Sequence, residues 1–493
     1  MNGRGRSLPH VPATAIVAAG MLLALGAGRM VASGHISVGL AVIVAAAYVP
    51  LVLLDLPAAI AVWAALLFVQ HLSALSVGPS AVQALLLVGW LGTVVVRRGR
   101  LPVLEHHRRL LMAVMLLGFW LSLSTAWAEH PDRSLVAAGH WWISVLTFVV
   151  VAMSLTRMRD VRIIAVAFIV GAIVSVVLGI VGGGLQPPSS AVTGTTYEGR
   201  LTGGGGDPNE QAASFLAAMF LAVGLLSVYR RQAIRVALLL ALMIITIGFF
   251  ATQSRGGLLA LGFATVAAFV LLPRHRGRIV AAALVGAVGV LIWGTVRPEA
   301  LTRITSFGGG GSGRSDDWTV GWRIFTGHPL VGVGLDNQIP LAPRFVLQPG
   351  ALTHVVRVAE TPELVHNAYL QLLAENGVIG LAAFAAVIVL VLRVMWSAVR
   401  RFEAIGRNDY ANLSRAVLMG TIAMLAAIFF ISDAGDDHLW MLLALGPVLR
   451  VMAGRMADSR HLAERPAVPD RPARRPHAPR LARGLSAVSP PLR

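Results

Sequence analysis

The sequence predicts an all-α, polytopic integral membrane protein with about 12–14 transmembrane helices and one long extracytoplasmic loop. Three observations carry that expectation. Of the 493 residues, 56% are hydrophobic and 13% charged, against roughly 25% charged in an ordinary soluble domain. The apolar residues fall into runs that suit spans of ~17–25 residues. Arginines gather in short loops between alternate runs, the pattern that orients a chain across a bilayer.

Composition also excludes chemistry. Cysteine is absent, so there is no disulfide, thiolate nucleophile or cysteine metal site. Lysine is absent too, and all 41 basic side chains are Arg. A Schiff-base mechanism is therefore excluded, whereas bidentate recognition of phosphate stays open. The formal charge of +18 is spread through topological loops, which argues against nucleic acid as a partner. The first apolar run lacks a small-residue cleavage site and reads as an anchor.

In chain order, Arg4 and Arg6 precede a span at 12–28, followed by spans at 36–55, 57–77 and 79–96. Arg97, Arg98, Arg100, Arg108 and Arg109 come next, then spans at 110–128 and 137–155. Arg157, Arg159 and Arg162 open a run at 161–183, which ends in a Gly/Pro/Ser-rich loop from Gly184 to Asp207. A span at 210–229 is followed by Arg230, Arg231 and Arg235, then by runs at 236–252 and 257–272. Arg274, Arg276 and Arg278 precede a span at 279–296, and a polar segment covers about 297–365. The last runs are 377–395, 413–432 and 437–453. With the N-terminus cytoplasmic, nearly every Arg cluster falls inside and the long segment outside. The membrane domain is thus 1–453, and 454–493 is an Arg/Pro-rich cytoplasmic tail expected to be disordered.

Polar signals collect on the outer side. Arg200-Leu-Thr-Gly-Gly-Gly-Gly-Asp-Pro-Asn209 runs into a helix N-terminus, where backbone N–H groups favour an anion; a capped glycine connector explains the same residues. Arg255, in Ser254-Arg-Gly-Gly257, lies outside against the topological trend, as a functional cation or as an Arg reaching lipid headgroups. In the long segment, Arg314 precedes Trp318, Trp322 and Phe325, whose spacing predicts an amphipathic helix against the membrane domain. The glycines of His328-Pro-Leu-Val-Gly-Val-Gly334 then turn the chain. Asp316-Asp317 and Asp436-Asp437 could bind a divalent cation, but solvated pairs are the simpler reading. Metalloprotease, phosphate-loop and dinucleotide patterns are all missing.

The organising stretch is Leu364 to Gly380. Thr361-Pro-Glu363 reads as a helix start, with Thr361 as cap and Pro362 at the first helical position. His366 then sits one turn into a helix entering the bilayer, where ionisable groups are functional candidates by default. At 100° per residue it shares a face with Tyr369, Leu370, Leu373 and Gly377, while Glu375 points away. His366 and Glu375 are therefore not expected to pair. A helix-start His bonded to a loop carbonyl is the alternative.

These pieces together resemble the O-antigen ligase and bacterial polysaccharide polymerase superfamily over about residues 160–450. The pieces are Arg200…Asn209, Ser254-Arg255-Gly-Gly, Arg314…Trp318, His328…Gly334 and His366-Asn367…Glu375-Asn-Gly…Gly380. The resemblance implies a glycosyltransferase at the outer face of a bacterial plasma membrane. Its donor would be a glycan on a polyprenyl diphosphate, and its acceptor a hydroxyl of a glycan, lipid or protein. It would be inverting, with no metal or cofactor. The family's catalytic His matches His366, and its outer Arg residues match Arg255, Arg200 and, less closely, Arg314. Asn209, Asn367 and Tyr369 are further substrate-binding candidates; Glu375 is expected to anchor its helix. The family commonly has about a dozen spans, so the extra N-terminal pair is a departure. A repeat-unit polymerase and, from another class, a lipid-linked glycan transporter or flippase are the competing readings. Spans nearly free of midplane charge favour surface chemistry over transport.

Overall fold

The computed structural model describes residues 48–70, 79–97, 106–181, 200–203, 206–296, 298, 314–346, 352 and 355–463. These residues form helices, with no strand among them. In order they are α1 (Leu56–Leu66), α2 (Pro79–Arg97), α3 (Arg108–Leu123), α4 (Pro131–Ser154), α5 (Met158–Val181), α6 (Pro208–Val228), α7 (Gln232–Ala251) and α8 (Arg255–Leu271). Then come α9 (Arg276–Val296), α10 (Arg314–Gly327), α11 (Gln338–Val346), α12 (Val355–Glu360), α13 (Ala368–Ala404), α14 (Asn408–Ala427) and α15 (Asp437–Ala463). Nine helices among the described residues are long and apolar enough to cross a membrane; α1 and α8 are apolar but shorter. Every expected span from 110–128 onward overlaps one of these helices; the run at 79–96 forms α2, and the described part of the expected 57–77 span forms α1 and a 3-10 turn, residues 71–77 lying outside the described residues. The expected span at 12–28 and most of 36–55 lie outside the described residues, as does most of the 184–207 loop.

Local chemistry sets the helix starts. Asp207 caps α6, accepting the Asn209 amide at 2.6 Å, with Pro208 in the first turn. Ser254 caps α8 through the Gly257 amide at 3.0 Å. Pro131 opens α4, beside Asp132 in its first turn. All three starts lie at the end of the bundle that carries α10–α12. The α15 helix, which carries Pro447 within it, runs past the expected boundary at 453 to Ala463: residues 453–463 hold no proline, and Arg460 donates to the Ile405 carbonyl at 2.9 Å.

The helices α6, α14 and α15 form the centre, and α6 packs most extensively on α14. Close approach rests on small residues, as membrane helix contacts require. A Cβ on Gly171 of α5 would meet the Ala65 carbonyl oxygen of α1 at 2.6 Å. Trp440 is fully buried on α15, edge-on to Trp141 and Phe148 of α4 at 6.2 Å each. By contrast α9 is peripheral, with Leu284, Val285, Leu291 and Ile292 all exposed to the surroundings that lipid would fill.

The 37 residues of α13 would extend about 55 Å if straight, well beyond a bilayer core of ~30 Å. The helix breaks at Gly377 (φ 65°, ψ −169°). A short piece, 368–376, is thereby set apart from the membrane-length remainder. That break positions the site.

Candidate functional site

A broken helix leaves backbone groups without partners, and the His328–Gly334 stretch supplies them. Val333 and Gly334 donate their amides to the carbonyls of Ala374 and Glu375 at 3.1 and 2.8 Å. On the far side of the break, Val378 and Ile379 donate to Pro329 and Leu330 at 2.9 and 3.3 Å. Two glycines make the insertion possible. Gly332 has φ +68°, and a Cβ there would lie 2.2 Å from the Glu375 carbonyl carbon; at Gly377 it would lie 2.2 Å from the Leu330 oxygen. The glycines expected to turn the chain thus also stitch the polar segment into the membrane helix.

The helix of His366 begins later than expected. Thr361 closes α12, its amide donating to the Arg357 carbonyl at 2.8 Å, and residues 362–367 are extended or bent. The cap of α13 is Asn367, whose Oδ1 accepts the amides of Tyr369 and Leu370 at 3.1 Å each. Pro362 therefore does not open the helix: an Asx cap directly before Ala368 satisfies two end amides, which Thr361 does not do. His366 immediately precedes that cap in the left-handed region (φ +49°), a conformation costing on the order of 1 kcal/mol or more for a non-glycine residue. Gln253 and Asp336 share this feature (φ 51° and 55°). All three sit beside the candidate residues, where such strain tends to gather.

His366 has a carboxylate partner that the sequence reading did not single out. Its Nε2 lies 3.7 Å from Oε2 of Glu363. Arg357 in turn contacts Glu363 at 3.3 Å and Asp317 at 2.7 Å. The result is a charge chain Asp317–Arg357–Glu363–His366 across α10, α12 and the α13 entry. His366, with Arg357 further helping, holds the Glu363 carboxyl below the usual range. Burial pushes Asp317 up despite Arg357. The Asp316-Asp317 pair is therefore not solvated: both side chains are buried where α10 packs on the bundle. Glu375 is not part of this chain, as expected. It is fully buried, accepts from Gln371 Nε2 at 3.2 Å, and faces the amides of Asp336 and Gln338.

Arg200, Asn209 and Ser254 come together in one cluster. Arg200 is buried; its Nε donates to the Thr252 carbonyl at 2.8 Å and its Nη2 to Asn209 Oδ1 at 3.1 Å. Ser254 Oγ donates to the same Asn209 oxygen at 2.7 Å. This cluster ties the start of α6 to the α7–α8 turn. Arg255 follows directly as the half-buried first residue of α8. Below it along α8, Leu259, Ala260, Phe263 and Ala267 form one wall of an apolar groove of about 630 Å³. Tyr369, Phe429 and Phe430 line it from the other side. Tyr369 donates its hydroxyl to the Leu425 carbonyl at 2.6 Å, so it locks α13 to α14 at the groove. Trp318 of the expected amphipathic helix stands edge-on to Phe429 at 5.7 Å, while Trp322 is exposed. Arg314 lies half-buried at the start of the same helix.

A second cavity, polar and of about 650 Å³, lies on the other face of the short 368–376 piece, lined there by Ala368, Gln371, Leu372 and Glu375. The Asp436-Asp437 pair belongs to its wall and is half-buried. Asp436 caps α15 through the Leu439 amide at 2.7 Å, and Asp437 accepts from Gln83 Nε2 at 2.7 Å. Among the described residues no group of three or more His, Asp or Glu is arranged to hold a metal ion. This cavity was not legible in the sequence, because its wall draws on α4, α6, α13 and the α14–α15 loop at once.

Fold and site define a multi-pass helical membrane protein whose polar machinery gathers at one end of the bundle, around a broken helix and beside a groove open to lipid. Residues 236–385, from α7 into α13, are similar to the family described as O-antigen ligase. The matched segment is just under a third of the chain. It contains Arg255, Arg314, Arg357, Glu363, His366 and Glu375, and leaves out Arg200 and Asn209. No curated protein matches the chain.

Proposed function

We propose that the protein transfers a glycan from a polyprenyl-diphosphate carrier to a hydroxyl acceptor at the outer face of a bacterial plasma membrane, with inversion and without a metal. What supports the reading is His366, backed by Glu363, three residues before the groove-lining Tyr369, and Arg255, one helical turn before the groove-lining Leu259. The groove takes the prenyl chain. Arg255, with Arg314 at the start of α10, receives the diphosphate. A planar guanidinium fork suits that group and stabilises the charge that develops on it.

The acceptor oxygen attacks the anomeric carbon as the bond to the diphosphate oxygen breaks. The acceptor proton passes to the imidazole of His366, and the electron pair leaves with the diphosphate. With Nε2 turned to Glu363, Nδ1 is the nitrogen that takes the proton, and Glu363 steadies the imidazolium that forms. One displacement with one base and no enzyme nucleophile gives inversion. Arg200, Asn209 and Ser254 hold the Arg255 turn in register; Asn367 caps the helix that presents His366. Ligase and repeat-unit polymerase share every one of these steps and differ only in acceptor.

The test is a reconstituted assay that measures donor binding and product formation separately. His366→Ala should bind donor as wild type does and lose transfer by roughly 10²–10⁴-fold. Arg255→Lys keeps charge without the fork, and should lose about 10²–10³-fold in rate with donor binding weakened as well. Near wild-type transfer by His366→Ala overturns the general-base role. Strict dependence on a divalent metal overturns the metal-free part.

A further inference from the structure

The polar cavity beside Gln371 and Glu375 has no part in the chemistry above, yet its composition is specific. Its volume of about 650 Å³ falls within the ~300–1,000 Å³ of small-molecule sites and is far too large for a single ion. Glu210, Glu375, Asp433, Asp436 and Asp437 line it, and neither Arg nor Lys does. Amide, hydroxyl and indole groups complete the wall through Gln211, Ser144, Ser214 and Trp141, a set that suits a hydroxylated ring.

Two further side chains point to an occupant. Gln211 is 3% exposed and lines the cavity, yet its Nε2 has no partner. His438 is 4% exposed, and its Nδ1 meets Ser214 Oγ at 3.2 Å, but its Nε2 has none. Buried polar atoms without partners are rare in folded proteins and ask for an explanation. Burial, reinforced by Asp436, Glu210 and Asp437, pushes the Asp433 carboxyl well up. A positively charged ligand would relieve that repulsion.

We infer that this chamber is a binding site for an amino sugar carrying a free ammonium group, and that it holds the acceptor end of the reaction on the face of the 368–376 piece opposite the groove. The acceptor part rests on the transferase reading above; the binding part does not. Carboxylates take the ammonium and the sugar hydroxyls, Trp141 offers a ring face, and the Gln211 amide finds its missing acceptor in a ring or hydroxyl oxygen. The same wall repels uronates and phosphorylated sugars.

The experiment is calorimetry on the full chain in lipid nanodiscs with three trisaccharide probes: glucosamine with free amines, its N-acetylated counterpart, and one containing glucuronate. The free-amine probe should bind at least tenfold more tightly than the N-acetylated one, and the glucuronate probe not at all. Asp433→Asn should remove most of that preference while leaving helicity and thermal midpoint unchanged. Gln211→Leu, an independent variant, should weaken both neutral and amine probes. In the transfer assay the free-amine probe should compete with acceptor and not with donor. Equal binding of amine and N-acetyl forms, no binding of either, or an unchanged preference in Asp433→Asn overturns the proposal. Carboxylate-dependent binding without any glycosyl transfer would overturn the transferase reading instead and leave the amine site standing.

Discussion

Glu363 shows what a single residue adds and how the sequence hides it. Glu363 lies three residues before His366, a spacing that would put both on one face of a helix, but the segment is not helical and brings them together by bending at His366 itself (φ +49°). His366 and Arg255 were legible as isolated polar residues at the ends of apolar runs. Arg357 and Asp317 were not, since their pairing depends on how α10 and α12 fold back. The Glu363 carboxyl lies below its ordinary value of 4.5 because His366 and Arg357 face it. A carboxyl with a lower pKa in the folded than in the unfolded state contributes stability above the unfolded value, lost as pH falls through the folded one. The wild type should therefore lose stability on acidification below about 4.5. Glu363→Gln should be less stable than wild type at neutral pH and show a smaller loss over that acid window. Thermal unfolding across pH checks this, and parallel curves for the two proteins would remove Glu363 from the account.

At the scale of elements, the broken α13 is the feature on which the site is built. Its span was plain from hydropathy, whereas its break was not. Gly377 sits in an apolar run where glycine also serves close packing, and only the backbone bonds to Pro329 and Leu330 show why the helix parts there. Gly332→Ala tests the stitch. The positive φ alone costs a side chain ~1–3 kcal/mol, and the new Cβ would press on backbone atoms of Glu375 at 2.2 Å, which no rotamer change relieves. The variant should unfold at lower temperature and lose transfer, since the cap and His366 shift together. Gly262→Ala on α8 is the matching control: nothing lies within 4 Å of its Cβ, and alanine is the better helix former by about 1 kcal/mol. A Gly332→Ala protein as stable and active as that control would show that the stitch is dispensable.

Over the whole molecule, charge is divided between the two ends of the bundle. Arg157, Arg159, Arg230, Arg231, Arg274, Arg278, Arg400 and Arg407 flank helix ends remote from α10–α12. The α10–α12 end instead mixes Arg133, Arg344 and Arg357 with the acidic residues of the charge chain and the polar cavity. Arginine-rich short loops stay in the cytoplasm, so the end bearing His366 should face outward, where a lipid-linked glycan would be presented. The chain has no cysteine, which allows single reporters to be placed at will. Thr326 is exposed on α10, and Ser459 is exposed near the far end of α15, a helix that starts at the α10–α12 end and is long enough to span. In intact cells Thr326→Cys should react with a membrane-impermeant maleimide, and Ser459→Cys should react only after permeabilisation. Both variants should keep transfer activity, because neither position touches the groove, the charge chain or the polar cavity. The reverse labelling pattern would place His366 in the cytoplasm. Donor and acceptor would then have to meet on the inner face, and the outward-facing transferase reading would fall.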